Sequence, residues 1–202
     1  MNVLACGALA HELIALKQLN DWDHLNVRCL PAHYHNTPQR IPGAVKSAIE
    51  KIRSENDDTI LVAYGDCGTG GKLDEVLVEA GVERLPGAHC YEFFAGSEKF
   101  MQMHEVELGT FYLTDFLVKY FDTYVFNALG LDRKPELMEM YFGNYTRLMY
   151  LAQTRSSTLL AQAKTHAETL GLKFAFHYTA YGELGSSLSQ TMNISVAEPC
   201  LT

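Results

Sequence analysis

The sequence predicts an α/β protein built on a single open parallel sheet, in the flavodoxin-like or Rossmann-like strand order, with helices on its faces. Short apolar runs alternate with longer segments of helical periodicity along the 202 residues of the chain, which is the pattern of strand–helix–strand units. Glycine-rich turns follow several apolar runs, as expected where a buried strand leads into a helix. The predicted strands favour the flavodoxin-like spatial order 2-1-3-4-5.

The first half of the chain contains most of the predicted strands. They are short and mostly apolar. They comprise residues 2–6, 24–30, 59–62 and 82–85. Predicted helices, in which apolar side chains recur every three or four residues, lie between them. They comprise residues 11–20, 42–56 and 72–81. Cys29 lies on the same side of the second strand as Val27, so we expect it to pack in the core.

From residue 91 onward the chain is rich in aromatic residues at helical spacing. We expect a long apolar helix over residues 111–129, ended by Gly130, and another over residues 135–151. Aromatic stripes at this spacing are typical of core or helix–helix packing.

An amphipathic helix at residues 157–170 and a fifth strand at residues 173–179 complete the predicted elements. No internal repeat and no obvious linker divides the chain. The sequence therefore predicts one α/β domain over residues 1–202, with a helical insertion at residues 91–155 after the fourth strand.

Composition and charge exclude several classes of function. A formal net charge of -8 and the lack of a basic patch argue against nucleic-acid and anionic-membrane partners. The chain starts with a strand rather than a basic, apolar leader, and no apolar run is long enough to span a membrane. Five cysteines without framework spacing favour reduced thiols. We therefore expect a cytoplasmic protein.

The most unusual stretch is AYGDCGTGG at residues 63–71, between the third strand and the third helix. It is not a P-loop, because Lys72 is followed by Leu73, and its glycine spacing differs from the dinucleotide-binding fingerprint. We expect its backbone N–H groups to form a cradle for an anion or substrate. The residues of this cradle are Gly68, Thr69, Gly70 and Gly71.

Three cysteines lie just beyond three predicted strand ends. Cys67 lies in the glycine loop, where a helix N-terminus would lower the pKa of its thiol. Cys6 follows the first strand, and Cys90 follows the fourth. In the order 2-1-3-4-5 these strands are neighbours about 4.8 Å apart, and their carboxyl ends meet where open α/β sheets bind ligands. The sequence therefore predicts a site formed by three thiols.

Three thiolates suit zinc or an iron–sulfur cluster, and the sequence does not decide between them. With three protein ligands, a fourth position stays open for a small-molecule substrate. His89 or Glu92 can replace one cysteine as a zinc ligand, and together with His35 they are candidate acid–base groups. A zinc ribbon is not expected, since the chain has no C-x-x-C pair.

Two other interpretations stay open, and with them the question whether the protein is an enzyme. In the first, Cys67 is a nucleophile without metal, with His89 or His35 as its base and backbone N–H groups as an oxyanion hole. In the second, the protein is a non-catalytic carrier or partner protein, and its aromatic helices dock another protein or a second copy of the chain.

Several of these motifs together resemble an uncharacterised family of bacteria and archaea, domain of unknown function 1638. The motifs are ACGA at 5–8, LPA at 30–32, HN at 35–36, YGDCGTGG at 64–71, HCYE at 89–92, FYLTDFL at 111–117, FGNY at 142–145 and YLAQT at 150–154. Members of this family often occur beside corrinoid-dependent methyltransferases. The resemblance implies a role in one-carbon transfer from methylated amines or betaines, with a corrinoid protein as the partner.

The thiol site and the resemblance combine into one hypothesis. Zinc held by thiolates activates a thiol acceptor, which can then take a methyl group from a corrinoid. An iron–sulfur cluster would instead suit reduction, such as the restoration of an over-oxidised corrinoid. In either case Cys6, Cys67 and Cys90 are the metal ligands.

Overall fold

The computed structural model describes residues 1–55 and 58–192 and divides the chain into two compact units. The first unit is Met1–Phe93 together with Glu183–Thr202, and the second is Phe94–Gly182. The α/β class with parallel strands flanked by helices is confirmed. The strands lie in two sheets, one of four and one of three strands, where the sequence predicted a single sheet.

The sheet of the first unit has four parallel strands in the order β2-β1-β3-β4. They are β1 (Asn2–Cys6), β2 (Asn26–Leu30), β3 (Ile60–Ala63) and β4 (Glu83–Arg84). The predicted order is therefore confirmed for these strands. The central strands β1 and β3 are buried on both faces, which explains their nearly continuous apolar sequences. β2 is an edge strand and Cys29 on it is exposed, so the prediction that Cys29 packs in the core is wrong.

The helices of the first unit cover its sheet. They are α1 (Ala10–Leu19), α2 (Ile41–Glu55), α3 (Lys72–Ala80), α4 (Cys90–Ala95), in which the first unit passes into the second, and α9 (Leu184–Met192). Leu4 and Val62 of the sheet share one hydrophobic core with Ile49 of α2 and Leu77 of α3. The predicted end of α2 at Asn56 lies outside the described residues.

The sheet of the second unit has three parallel strands in the order β5-β6-β7. They are β5 (Thr110–Thr114), β6 (Arg147–Ala152) and β7 (Lys173–Tyr178). The helices of this unit are α5 (Ser97–Val106), α6 (Asp115–Lys119), α7 (Leu137–Phe142) and α8 (Ser157–Thr169), with a π-helical turn at Asp122–Phe126. The predicted fifth strand is β7, so it belongs to the second sheet. Among the described residues, no helix is long and apolar enough to cross a membrane.

The helices predicted at residues 111–129 and 135–151 are wrong where β5 and β6 lie. Leu113 and Tyr150 are fully buried in these strands. A short apolar run of this kind has no period that separates a buried strand from a buried helix. The stretch 91–155 therefore contains two strands and is not the wholly helical insertion that the sequence predicted.

A buried carboxylate organises the carboxyl ends of the second sheet. Asp115, at the start of α6, is only 8% exposed. Its oxygens accept hydrogen bonds from the Tyr150 hydroxyl (2.6 Å) and the Gln153 N–H (3.0 Å). They also accept from the N–H (2.9 Å) and the hydroxyl (2.5 Å) of Thr154. This network ties the end of β6 to α6.

Candidate functional site

Loops at the carboxyl ends of β1, β2, β3 and β4 pack closely, and two glycines allow the contact. A Cβ atom on Gly7 would lie 2.9 Å from the carbonyl oxygen of Leu30. A Cβ atom on Gly65 would lie 3.0 Å from the backbone nitrogen of His89. A side chain is hardly ever accommodated this close to backbone atoms, so both positions favour glycine. Each glycine lies one or two residues from a cysteine that was predicted as a ligand.

Polar contacts fix the loop after β4 beside the glycine loop. The N–H of Cys67 donates to the carbonyl oxygen of Ala88 (2.8 Å). The guanidinium of Arg84 donates to the carbonyl oxygen of Gly87 (3.1 Å) and forms an ion pair with Asp74 (Nε–Oδ1, 2.5 Å). These contacts hold the start of α4 close to the glycine loop.

Cys6, Cys67 and Cys90 lie together at this edge of the sheet as half-buried free thiols. Cys6 and Cys67 pack against the core under α2 and α3. Burial raises the pKa of Cys90 well above its ordinary value, and the nearby charges of Cys67 and Cys6 raise it further. Burial likewise raises the pKa of Cys67 to about 11, with a further contribution from Cys6. The structure therefore brings the three cysteines close together.

The expectation that a helix N-terminus lowers the pKa of Cys67 is wrong. Cys67 lies in the loop before α3 begins, and burial outweighs every other influence on its thiol. Backbone N–H groups of Gly65 and Cys90 bond to the Cys67 sulfur and oppose the rise in pKa. The N–H of Ala8 acts on Cys6 in the same way, again against the larger effect of burial. These donors would stabilise thiolates once another influence removes the protons.

The backbone at Cys67 is strained. Its φ is 51°, in the left-handed region, which costs a residue with a Cβ atom about 1–2 kcal/mol. Gly68, Gly70 and Gly71 in the same loop also have positive φ, and glycine takes these values at little cost. Strained non-glycine residues are concentrated at functional sites. The loop thus holds Cys67 in a conformation that stability alone does not favour.

The donors of the glycine loop bind a carboxylate of the chain itself. Asp66 accepts from the N–H groups of Gly68 (3.2 Å), Gly70 (3.1 Å) and Gly71 (2.8 Å) and from the hydroxyl of Thr69 (2.7 Å). The bond from Gly71 contributes most to lowering the pKa of Asp66 to about 2. The cradle predicted for an external anion or substrate is therefore filled by Asp66.

The predicted acid–base residues have different surroundings. Glu92 accepts from the N–H groups of Ala88 (2.7 Å) and His89 (3.2 Å), so it caps the start of α4. His89 and His35 are both exposed residues. The protein around His35 lowers the pKa of its imidazole by desolvation, and the nearby charge of His89 lowers it further. The structure thus brings the two histidines near each other and gives Glu92 a structural role.

Sequence reasoning missed two buried polar residues beside the thiols. Tyr64 is 2% exposed, and Glu12 in the first turn of α1 is 3% exposed. The strand register could have indicated Tyr64, because it places this residue next to Cys6. No sequence pattern singles out Glu12, since a glutamate in the first turn of a helix is common. Its charge is the last of several contributions, after burial and the other cysteines, to the raised pKa of Cys90.

Within residues 1–55 and 58–192, no group of three or more His, Cys, Asp or Glu side chains is arranged to hold a metal ion as it stands. The chemistry of the donors still fits one, because cysteine sulfurs prefer zinc and iron–sulfur clusters. Backbone N–H groups that hydrogen-bond to each of the three sulfurs add to this fit. Metal binding here therefore requires the thiols to lose their protons and to reorient toward one point.

Comparison with protein families relates the chain to an uncharacterised family. A family model described as a protein of unknown function, DUF1638, matches residues 29–188. This range includes Cys67 and Cys90 and begins after Cys6. No curated protein matches the chain, and no solved structure does.

Proposed function

The chain belongs to the DUF1638 family of proteins of unknown function, and we propose from its site that it is a metal-binding protein of the cytoplasm. Cys6, Cys67 and Cys90 would hold zinc or an iron–sulfur cluster, and an open position would receive a small-molecule substrate. One observation carries the proposal: Cys6 at the end of β1, Cys67 in the loop after β3 and Cys90 at the start of α4 share one half-buried edge of a parallel sheet.

A bound cation would account for the acidic groups that are buried at this edge. Three thiols and the Glu12 carboxylate are near one another, and charge on one disfavours charge on the next. The Arg84 guanidinium lies near Cys67, but it already pairs with Asp74. A metal ion would supply the positive charge that lets the thiols ionise.

The finer form of the proposal concerns the reaction. When bound, zinc would activate a thiol acceptor, whereas an iron–sulfur cluster would transfer electrons. The resemblance points to methyl transfer from a methylated amine or betaine, with a corrinoid protein as partner. The chain itself would hold the metal on its buried side and leave the side of His35 and His89 open to the substrate.

The two alternative functions, a metal-free cysteine nucleophile and a partner protein, rest on other observations. A metal-free nucleophile at Cys67 has less support, because burial raises the pKa of its thiol to about 11, whereas nucleophilic cysteines have a lowered pKa. A partner protein or a homo-oligomer draws on the exposed apolar side chains of Met140, Tyr141 and Tyr145 in the second unit.

Elemental analysis and an absorption spectrum test the proposal, on protein purified without oxygen and without chelator. We expect either about one equivalent of zinc without colour, or iron with sulfide and a broad brown absorption. Cys67→Ser should lose the metal and keep its circular dichroism spectrum. Cys29→Ser, which removes an exposed thiol of the same unit, should keep the metal.

Equal metal content in Cys67→Ser and Cys29→Ser would overturn the proposed site. A metal-free wild-type protein with one hyper-reactive cysteine would favour the nucleophile instead. A metal-free protein whose thiols all react alike would favour the partner protein.

A further inference from the structure

We propose that Tyr64 is a positioning residue of the thiol site, whose hydroxyl donates a hydrogen bond to the sulfur of Cys6 when that sulfur binds metal. The inference rests on the proposed function and adds a residue to it. Groups that hydrogen-bond to a metal ligand fix its orientation and tune its bond to the metal.

The strand register places Tyr64 directly beside Cys6. β1 and β3 are parallel neighbours in which Ala5 is paired with Ala63. Cys6 directly follows Ala5 in the sequence, and Tyr64 directly follows Ala63. Both side chains pack against the core that includes Leu4 and the inner faces of α2 and α3. The two side chains are therefore neighbours on one face of the sheet.

The hydroxyl of Tyr64 is buried without a hydrogen bond. Tyr64 is 2% exposed, and within the part of the chain that the structure describes its Oη atom has no partner at hydrogen-bonding geometry. Apart from burial, the groups that act on the hydroxyl are cysteine sulfurs, Cys6 foremost among them. The Cys6 sulfur is near enough for the hydroxyl to act on its pKa as a hydrogen-bond donor, but the contact does not reach full hydrogen-bond geometry. Buried hydroxyls are nearly always bonded, so this exception needs a reason.

The state of the sulfur supplies that reason. A neutral thiol is a weak acceptor, so the hydroxyl gains little from Cys6 in the metal-free protein. A metal-bound cysteine sulfur carries negative charge, and hydrogen bonds to charged acceptors are roughly twice as strong. Phenylalanine would fill nearly the same space without an unsatisfied O–H. The hydroxyl of Tyr64 is thus placed to serve the bound state rather than the folding of the metal-free chain.

Cobalt(II) titration of the metal-free protein tests this role, with Tyr64→Phe and Tyr34→Phe as a matched pair. Tyr34 packs against the same core. We expect Tyr64→Phe to bind cobalt about 10-fold more weakly than wild type. Its sulfur-to-cobalt charge-transfer band should move to longer wavelength, because a sulfur without the hydrogen bond has lone pairs of higher energy. Tyr34→Phe should match wild type in both measurements.

Thermal unfolding of the metal-free proteins separates this role from packing. Tyr64→Phe should be at least as stable as wild type, because it removes an unsatisfied buried group. A purely structural tyrosine would instead give a less stable variant whose cobalt band has not moved, and that result overturns the role.

The remaining outcomes distinguish the two proposals. A wild-type protein that binds neither cobalt nor zinc overturns the proposed function itself. Tight binding by wild type, with the same affinity and band in Tyr64→Phe, overturns only the role of Tyr64.

If Tyr64→Phe does not fold, cadmium NMR of the wild-type protein decides whether the Tyr64 hydroxyl bonds to the Cys6 sulfur. Coupling between cadmium and the Tyr64 hydroxyl proton through the Cys6 sulfur supports the role, and a freely exchanging hydroxyl overturns it.

Discussion

The carboxyl ends of the two sheets differ in how far their buried polar groups are stabilised by hydrogen bonds. In the second unit, the Asp115 carboxylate receives hydrogen bonds from Tyr150, Gln153 and Thr154. In the first unit, burial raises the pKa of the Cys67 thiol to about 11, and the Tyr64 hydroxyl beside the thiols has no hydrogen bond among the described residues. A fully bonded polar network stabilises a fold, whereas unsatisfied buried groups cost stability. The comparison indicates a structural edge in the second unit and a functional edge in the first.

Removing the carboxylate of the second unit should give the largest effect on stability. Asp115→Ala leaves the Tyr150 hydroxyl and the donors of Thr154 without their acceptor, so we expect a loss of about 4 kcal/mol in the free energy of unfolding. Urea unfolding measures it. Asp132→Ala, at an ion pair on the surface of the same unit, should change this free energy by less than about 0.5 kcal/mol. Similar losses in both variants would break the comparison, because Asp115 would then not be structural.

A methyl group on Gly65 should separate the loops of the functional edge. Its Cβ atom would lie 3.0 Å from the nitrogen of His89 and 3.1 Å from the carbonyl carbon of Ala88, so Gly65→Ala should cost about 2 kcal/mol and weaken metal binding. Gly43→Ala is the control, because its Cβ atom in α2 meets nothing within 4 Å. That change should raise the free energy of unfolding by about 0.5–1 kcal/mol. Urea unfolding measures whether each variant loses or gains stability relative to wild type.

The ionisation of Asp66 in the glycine loop should make the free energy of unfolding depend on pH. Hydrogen bonds, that of Gly71 first, lower the pKa of Asp66 to about 2, so its contribution to stability is present above its ordinary pKa of about 3.9 and is lost as the pH falls toward 2. Asp66→Asn should lower the free energy of unfolding by about 1–2 kcal/mol at neutral pH. The difference from wild type should shrink between about pH 5 and pH 2. A difference that stays constant over this range would show that the charge of Asp66 does not matter.

The smallest effect concerns the strained cysteine. Cys67→Gly relieves the left-handed backbone, which is worth about 1–2 kcal/mol, and adds chain freedom that costs about 0.5–1 kcal/mol. Cys67→Gly and Cys67→Ala both lose the packing of the sulfur against the core, so we expect the free energy of unfolding of Cys67→Gly to exceed that of Cys67→Ala by about 0.5 kcal/mol, and both variants to lose metal binding. Cys67→Ala keeps the strain and should be less stable than Cys67→Gly. The reverse order would show that the backbone at residue 67 is not strained, which would weaken the contrast with Asp115.

Much of the first unit could be predicted from sequence, because its strands and helices alternate clearly and each strand ends at a glycine or a turn. The order of β1 to β4 followed from this alternation, and so did the meeting of Cys6, Cys67 and Cys90. The second unit was harder. The run at residues 111–114 is a buried strand followed at once by helical residues, and the periodicity of the helix hides the strand.

The details of the site depended on contacts that no local pattern contains. The donors of the glycine loop suit any anion, and the folded loop brings them the carboxylate of Asp66. The pKa of Cys67 depends on burial by distant parts of the chain rather than on its position before a helix. Glu92 caps α4, which is a common role for a glutamate in the first turn of a helix.

The most direct test of the thiol site is the alkylation rate of each cysteine, read by mass spectrometry, with and without stoichiometric zinc in the absence of oxygen. We expect zinc to slow the reaction of Cys6, Cys67 and Cys90 together and to leave exposed Cys29 unchanged. Rates that zinc does not alter at these three cysteines, or that it alters at Cys67 alone, would contradict a shared metal site at the edge of the first sheet.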